Sequence, residues 1–138
     1  MYVFFAEPKQ LASFAPLLLP AACTFSTVVG HSLFGDLFLR DSQTGEFAIL
    51  LASALELVNT GEVEEDGFRE QILGNPEVER TLLRPNDVAV LVRQLGAADR
   101  ELVFFPVPLP ALGGSGELDT FQKGGLREYL AIVAQSLP

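Results

Sequence analysis

Few residue types in this 138-residue chain could carry out covalent chemistry. The run Gly113-Gly114-Ser115-Gly116 holds a serine in a glycine-rich turn, as a nucleophile elbow does, but Glu117 stands where that motif needs its last glycine. A hydrolase built on Ser115 would need His31, the sole histidine, as its base and Asp119 as the orienting acid. The alternative is a loop whose glycines serve only backbone conformation.

Signatures of metal and phosphate chemistry are missing from the sequence. No glycine run has the spacing of a phosphate-binding loop, and one Cys and one His supply neither a disulfide framework nor a zinc set. Cys23 is expected to be a small buried hydrophobe, and His31 a hydrogen-bonded, half-buried residue. Asp36 and Asp41 flank one predicted strand, where we expect a solvated face for the first and a turn for the second. We therefore expect no metal and no cofactor.

Acidic residues are concentrated in one part of the chain. The formal net charge is −9, from 9 basic and 18 acidic residues, and the thinly scattered basic residues argue against direct nucleic-acid binding. The segment from 56 to 79 has a single basic residue, Arg69, and eight acidic ones, namely Glu56, Glu62, Glu64, Glu65, Asp66, Glu70, Glu77 and Glu79. This segment is either a solubilising face or a docking surface for a basic partner. The candidate partner-binding residues are Glu62, Glu64, Glu65, Asp66 and Glu70.

The positioning elements follow from hydrophobic periodicity. Residues 1–24 are expected to form a mainly helical segment, with a short strand or entry segment at residues 2–5. Alternating apolar residues on both sides of the turn at 41–45 predict a hairpin, and a third strand near Leu55–Val58 extends it into a meander.

Helices are predicted for the middle and the end of the chain. Asn75-Pro76 has the form of a helix N-cap followed by proline, and Gly74 and Gly96 end the neighbouring helices. The stripe Val88, Leu91, Val92 and Leu95 predicts a helix from Pro85 with one face on the sheet. A strand at 102–107 and a terminal helix with Leu126, Tyr129, Leu130 and Val133 complete the elements. The expected fold is a single α+β domain, residues 1–138, with an antiparallel sheet of four to five strands and three to five helices.

Three stretches of the sequence resemble a known family. They are Gly35–Asp41 with its turn and return strand, Leu83–Val88, and Pro106–Gly125 with Leu112-Gly113-Gly114 and Leu118-Asp119-Thr120-Phe121. Together they are similar to the C-terminal domain of type VI secretion immunity proteins, which often follows a GAD-like domain. The resemblance covers residues 25–138 and leaves only 24 residues before it.

The resemblance implies a bacterial, cytoplasmic, non-enzymatic protein that neutralises a cognate toxin by binding it. In some members of the family the toxin is a DNase, and the toxin gene lies beside the immunity gene. The loop residues Gly113, Gly114, Ser115 and Asp119 are further candidates for the partner contact. The expected partner is a protein, with no membrane and no nucleic acid.

Two alternatives stay open at this level. A small-molecule binding or sensing domain would use the glycine-rich loop and the Phe104-Phe105 strand to line a pocket. An exposed apolar patch beside Pro106–Pro110 would instead favour a homodimer.

Overall fold

An antiparallel meander forms the larger of two sheets in the computed structural model, which describes residues 1–99 and 101–136. Its five strands are adjacent in chain order: β1 (Tyr2–Gln10), β2 (Thr27–Ser32), β3 (Leu37–Arg40), β4 (Phe47–Leu51) and β5 (Glu56–Asn59). The predicted α+β fold, the hairpin and its extension into a meander are thereby confirmed.

The central hairpin is buried on both of its faces. Leu37 pairs with Leu50 and Leu39 with Ala48, and these four side chains lie in one core cluster. Phe38 points to the opposite face and joins a second cluster. Because successive side chains of a strand point to opposite faces, β3 must be covered on both sides.

Four helical segments, three of them short, cover one face of this sheet. They are α1 (Leu11–Phe14), a 3₁₀ turn (Pro16–Leu18), α2 (Leu19–Ala22) and α6 (Leu126–Ser136). All four predicted core positions of α6, from Leu126 to Val133, are buried in the first cluster. The prediction of a docked terminal helix is confirmed.

The N-terminal segment is less helical than the sequence predicts. Strand β1 runs to Gln10, with a register shift between Phe4 and Lys9, so nine residues belong to the sheet. Cys23 is exposed and has φ +54°, which corrects its expected burial. No helix among residues 1–99 and 101–136 has the length and apolar character that a membrane crossing requires.

The second face of the meander is covered by a run of short helices. These are α3 (Glu65–Gly67), a π-helical segment (Phe68–Leu73), α4 (Pro76–Val78) and a second π-helical segment (Glu79–Leu83). Phe68, Leu73 and Leu83 are buried from this side against Phe38 and Phe47.

The predicted helix start at Asn75 is confirmed, because its Oδ1 accepts a hydrogen bond from the N–H of Glu77 at 2.9 Å. We expect Asn75→Ala to lower the free energy of unfolding by about 1 kcal/mol, since one N–H of the first turn loses its acceptor. Chemical denaturation measures this change. Asn75→Asp serves as the control and is expected to keep most of the stability, because its carboxylate also caps a helix.

A two-stranded sheet packs beside the meander. It pairs β6 (Leu102–Pro106) with β7 (Phe121–Gly125), and 3₁₀ turns at Pro110–Leu112 and Leu118–Thr120 lie between them. The Phe104 N–H donates to the Leu33 carbonyl at 2.8 Å, which ties this sheet to the end of β2. Strand β7 was not predicted, because Gly124 and Gly125 break its hydrophobic pattern.

Helix α5 (Pro85–Leu95) packs against the smaller sheet. Leu91 is buried in a cluster with Phe104 and Phe121, whereas Val92 is 37% exposed. The predicted helix is therefore confirmed. The prediction that Val92 belongs to its buried face is wrong, and the helix packs on the two-stranded sheet rather than on the meander.

Candidate functional site

A half-open cleft of about 480 Å³ lies where one end of the meander meets the smaller sheet, the 81–84 segment and α6. Its lining is mostly apolar, with a few polar side chains. The lining residues are Phe34, Asp36, Leu51, Ser53, Thr81, Leu82, Arg84, Phe104, Pro106, Leu109, Pro110, Ala111, Gly116, Phe121, Tyr129, Val133 and Ser136. Apolar clefts of this size with a few converging polar groups are the usual form of ligand sites.

Asp36 is buried and lines the cleft, which corrects the expected solvated position. One carboxylate oxygen accepts from the Ser32 hydroxyl and the other from the Ala52 N–H, both at 2.9 Å. The Ser32 hydroxyl oxygen in turn accepts from the N–H groups of Phe34 and Asp36. Asp36 thus joins the turn after β2 to the turn after β4.

Burial raises the pKa of Asp36 to about 6, because a charged carboxylate is costly away from water. The hydrogen bonds from Ala52 and Ser32 act in the opposite direction, as does the positive charge of Arg84. Two hydrogen-bond donors of the fold itself, Ser32 and Ala52, therefore offset part of the effect of burial on the Asp36 carboxylate.

Tyr129 approaches this turn from α6. Its ring stacks on Phe105 at 4.8 Å, and a Cβ built on Gly35 would lie 2.6 Å from a ring carbon of Tyr129. Gly35 also has φ +90°, where a side chain is strained. Burial, followed by the nearby Asp36 charge, raises the pKa of Tyr129 to about 12. The phenol is thus uncharged at neutral pH.

Arg84 lies at the edge of the cleft between a π-helical segment and α5. Its backbone is left-handed, with φ +50° and ψ +60°. Its Cζ lies 4.3 Å from the ring centroid of Phe34 and 5.7 Å from that of Phe121. Its Nε donates to Asp87 at 2.9 Å. The aromatic rings of Phe34 and Phe121 and the carboxylate of Asp87 therefore together fix the position of the guanidinium.

The proposed hydrolase residues do not form a catalytic set in the described part of the chain. Ser115 is exposed, and its hydroxyl accepts from the N–H of Glu117. His31 is fully buried, with Nδ1 on the Ser32 carbonyl at 2.8 Å and Nε2 without a partner, so the half-buried expectation is corrected. No hydrogen bond joins His31, Ser115 and Asp119.

The glycine-rich loop contributes to the cleft only at its end. Gly116 and Phe104 line the cleft, whereas Gly113, Gly114, Ser115 and Asp119 do not. Gly113 has φ +94°, and Gly114 lies too close to the Pro108 backbone to carry a side chain. The conformation of the loop therefore requires glycine at both positions.

The candidate acidic residues follow one another along an exposed segment outside the cleft. Glu64, Glu65, Asp66 and Glu70 are exposed, and Glu62 is half-buried. Glu65 pairs with Arg69 at 3.3 Å, and the Arg69 guanidinium lies over the Phe4 ring at 3.9 Å. We call residues 62–70 the acidic segment.

Asp41 behaves as predicted and shapes a turn. One carboxylate oxygen accepts from the N–H groups of Gln43 and Thr44, and the other from the Thr24 hydroxyl at 2.7 Å. Within residues 1–99 and 101–136, no group of three or more metal-ligating side chains is clustered.

Comparisons with known proteins add information on the fold. No protein-family model matches the chain, and no curated protein matches its sequence. Among solved structures, the crystal structure of Atu4351 from Agrobacterium tumefaciens is similar, with a TM-score of 0.67 and 15% sequence identity. The similarity covers 99% of this chain and 67% of that one. At this identity the similarity establishes a shared fold alone.

Proposed function

We propose that this protein is a non-enzymatic binding module, an immunity protein that neutralises a cognate type VI secretion toxin by direct contact. One observation supports this proposal most: the three stretches that resemble the immunity family meet at the cleft. Asp36 comes from the first stretch, Arg84 from the second and Phe121 from the third. Residues distant in sequence that converge on one concave surface suit a binding role.

The polar groups of the cleft favour binding over catalysis. Both Asp36 oxygens already accept hydrogen bonds from the fold, and Arg84 is oriented by Asp87 and two aromatic rings. Groups held in this way are preorganised, which lowers the entropy cost of association. None of these contacts pairs a nucleophile with a base, as covalent catalysis would need.

Co-expression with the product of the adjacent gene tests the proposal. We expect that product to stop growth when it is expressed alone in the cytoplasm, and this protein to restore growth and to copurify with it. An unrelated acidic protein of similar size is the control. The proposal fails if the neighbouring product is harmless, or if its toxicity persists with this protein present in excess.

The acidic segment supplies a second part of the proposal, electrostatic attraction of a basic toxin. Charges on the rim of an interface mainly affect the association rate, since they act over about a Debye length before contact. A nuclease toxin, which carries a cationic site for its phosphate substrate, would be attracted in this way.

Reversing Glu62, Glu64, Glu65 and Asp66 to Lys is expected to slow toxin association by about tenfold at low salt and to flatten its salt dependence. Stopped-flow or surface-plasmon measurements at several salt concentrations provide the rates. The matched control reverses Glu7, Asp99, Glu117 and Glu128, which are exposed elsewhere on the chain. Equal toxin association rates for the two variants would mean that the acidic segment contributes only to solubility.

The cleft volume favours one second candidate, a small-molecule binding or sensing domain. A volume of about 480 Å³ with mainly apolar walls is within the range of ligand sites. Native mass spectrometry of the freshly purified protein tests this candidate. A stoichiometric bound small molecule that Ala111→Trp removes would support it, since Ala111 lines the cleft.

A further inference from the structure

Arg84 occupies a backbone conformation that an arginine rarely adopts. A left-handed backbone is strained for a residue other than glycine, and it persists only where its surroundings fix it. Here a π-helical segment ends and the Pro85 helix begins at the same residue. This conformation directs the side chain to Phe34 and Phe121, two walls of the cleft.

The guanidinium of Arg84 keeps hydrogen-bonding capacity after its contacts are counted. It has five N–H donors, and Nε uses one of them on Asp87. Within residues 1–99 and 101–136, neither Nη donates to another residue. The side chain is 31% exposed, and neither Nη is among the buried polar atoms without a partner in the described part of the chain. Two Nη groups in one plane match the two oxygens of a carboxylate.

Charge in the cleft points to an anionic group rather than a cationic one. Arg84 is the only Lys or Arg side chain that lines the cleft in the described part of the chain. The other charged lining residue, Asp36, is engaged by the Ser32 hydroxyl and the Ala52 N–H. Asp87 balances part of the Arg84 charge from outside the cleft, since it is not a lining residue.

Two exposed apolar residues are sequence neighbours of residues that line the cleft. Val107 is 44% exposed and Leu112 is 59% exposed, and they adjoin the lining residues Pro106 and Ala111. An occupant that covers both the cleft and these two residues is larger than a small metabolite. A segment of a protein meets this requirement.

We infer that the cleft binds a partner segment in which an apolar side chain lies next to a carboxylate, with the carboxylate accepting hydrogen bonds from both Nη groups of Arg84. The apolar side chain then packs on Phe104, Leu109 and Phe121. This inference rests on the proposed function, because it identifies the contact by which the toxin would be held. The acidic segment would act on the approach of the toxin, and Arg84 on the bound complex.

A matched pair of probes tests the carboxylate requirement with this protein alone. N-acetyl-L-phenylalanine carries the carboxylate, and N-acetyl-L-phenylalaninamide replaces it with a neutral amide. In titrations followed by ¹H–¹⁵N spectra, we expect the acid to bind about tenfold more tightly, with shifts at residues around the cleft. Equal affinity for acid and amide, or shifts away from the cleft, would overturn the inference.

Variants at Arg84 test the residue assignment. Arg84→Gln is expected to abolish the preference for the acid, and Arg84→Lys to keep about half or less of it, because lysine keeps the charge without the paired donors. Arg80→Gln is the control, since Arg80 is exposed on the same segment and does not line this cleft. If Arg84→Gln does not fold, Arg84→Lys carries the test. A full preference in the lysine variant would contradict paired recognition.

Competition with the toxin separates a protein segment from other occupants. At acid concentrations well above the Kd of the acid, we expect the apparent Kd of the toxin to rise in proportion to the acid concentration. We expect Arg84→Gln to raise the toxin dissociation rate about tenfold or more. A toxin Kd that stays unchanged when the acid saturates the cleft would mean that a free carboxylic acid, and not the toxin, occupies the cleft. Concentration-dependent dimers that Arg84→Gln abolishes would mean that a second copy of the chain occupies it. Either result overturns the partner-segment inference. Failure of the proposed function is recognised separately, from growth in the co-expression experiment.

Discussion

Replacing Phe68 by Ala is expected to lower the free energy of unfolding by about 4 kcal/mol. Phe68 is fully buried between the meander and the helical run of residues 65–83. Its ring stacks on Phe47 at a centroid distance of 5.0 Å and meets Phe38 at 5.4 Å and Phe4 at 6.1 Å. Removing the ring leaves a cavity and breaks three aromatic contacts.

Denaturant unfolding followed by circular dichroism measures this loss. Phe68→Leu is the matched variant and is expected to lose less than half as much, because leucine fills most of the volume. Hydrogen exchange adds a local readout, since the amides of residues 65–73 should exchange faster in the alanine variant. A loss below about 1 kcal/mol would mean that this segment is not docked as described.

Relative to Asp36→Asn, the wild-type free energy of unfolding is expected to fall by about 2 kcal/mol as the pH rises from about 4 to about 7. Burial raises the pKa of Asp36 from its ordinary value of 3.8 to about 6. Between these values the folded chain holds a proton that the unfolded chain has released. The stabilisation is therefore complete below 3.8 and is lost as the pH rises through about 6.

Subtraction of the Asn variant isolates Asp36 from other titrating groups. Burial lowers the pKa of His31, so His31 contributes stability that is lost as the pH falls below 6.5, the opposite sense. The hydrogen bond from Thr24 lowers the pKa of Asp41. The contribution of Asp41 to the free energy of unfolding is therefore also lost as the pH falls. Asp41→Asn is thus a control with the opposite slope. A difference between wild type and Asp36→Asn that stays constant with pH would contradict the raised pKa.

The regular elements of the fold could be predicted because their periodicity is strong. Leu37 and Leu39 alternate with Phe38 and Arg40, and α6 has four buried residues at helical spacing. Strand β7 could not be predicted, since Gly124 and Gly125 have little strand propensity and the strand forms only by pairing with β6. Its stability comes from tertiary contacts that periodicity does not report.

The candidate site was harder to predict than the fold. Asp36 was expected in solvent because carboxylates are rarely buried. In the structure the last residue of β2, Ser32, donates to Asp36, and so does Ala52 in the turn after β4. The family resemblance brought in the stretch containing Arg84 without assigning it a role. One sequence signal was present: proline at 85 disfavours right-handed helix at the residue before it, which is consistent with a break at Arg84.

Gly35 lets the Tyr129 ring, which lines the cleft, lie directly against the turn after β2. A Cβ at position 35 would overlap the Tyr129 ring, so the ring would have to shift from its observed place. A substitution at Gly35 is therefore expected to reshape one wall of the cleft, immediately beside the carboxylate that joins two turns of the sheet.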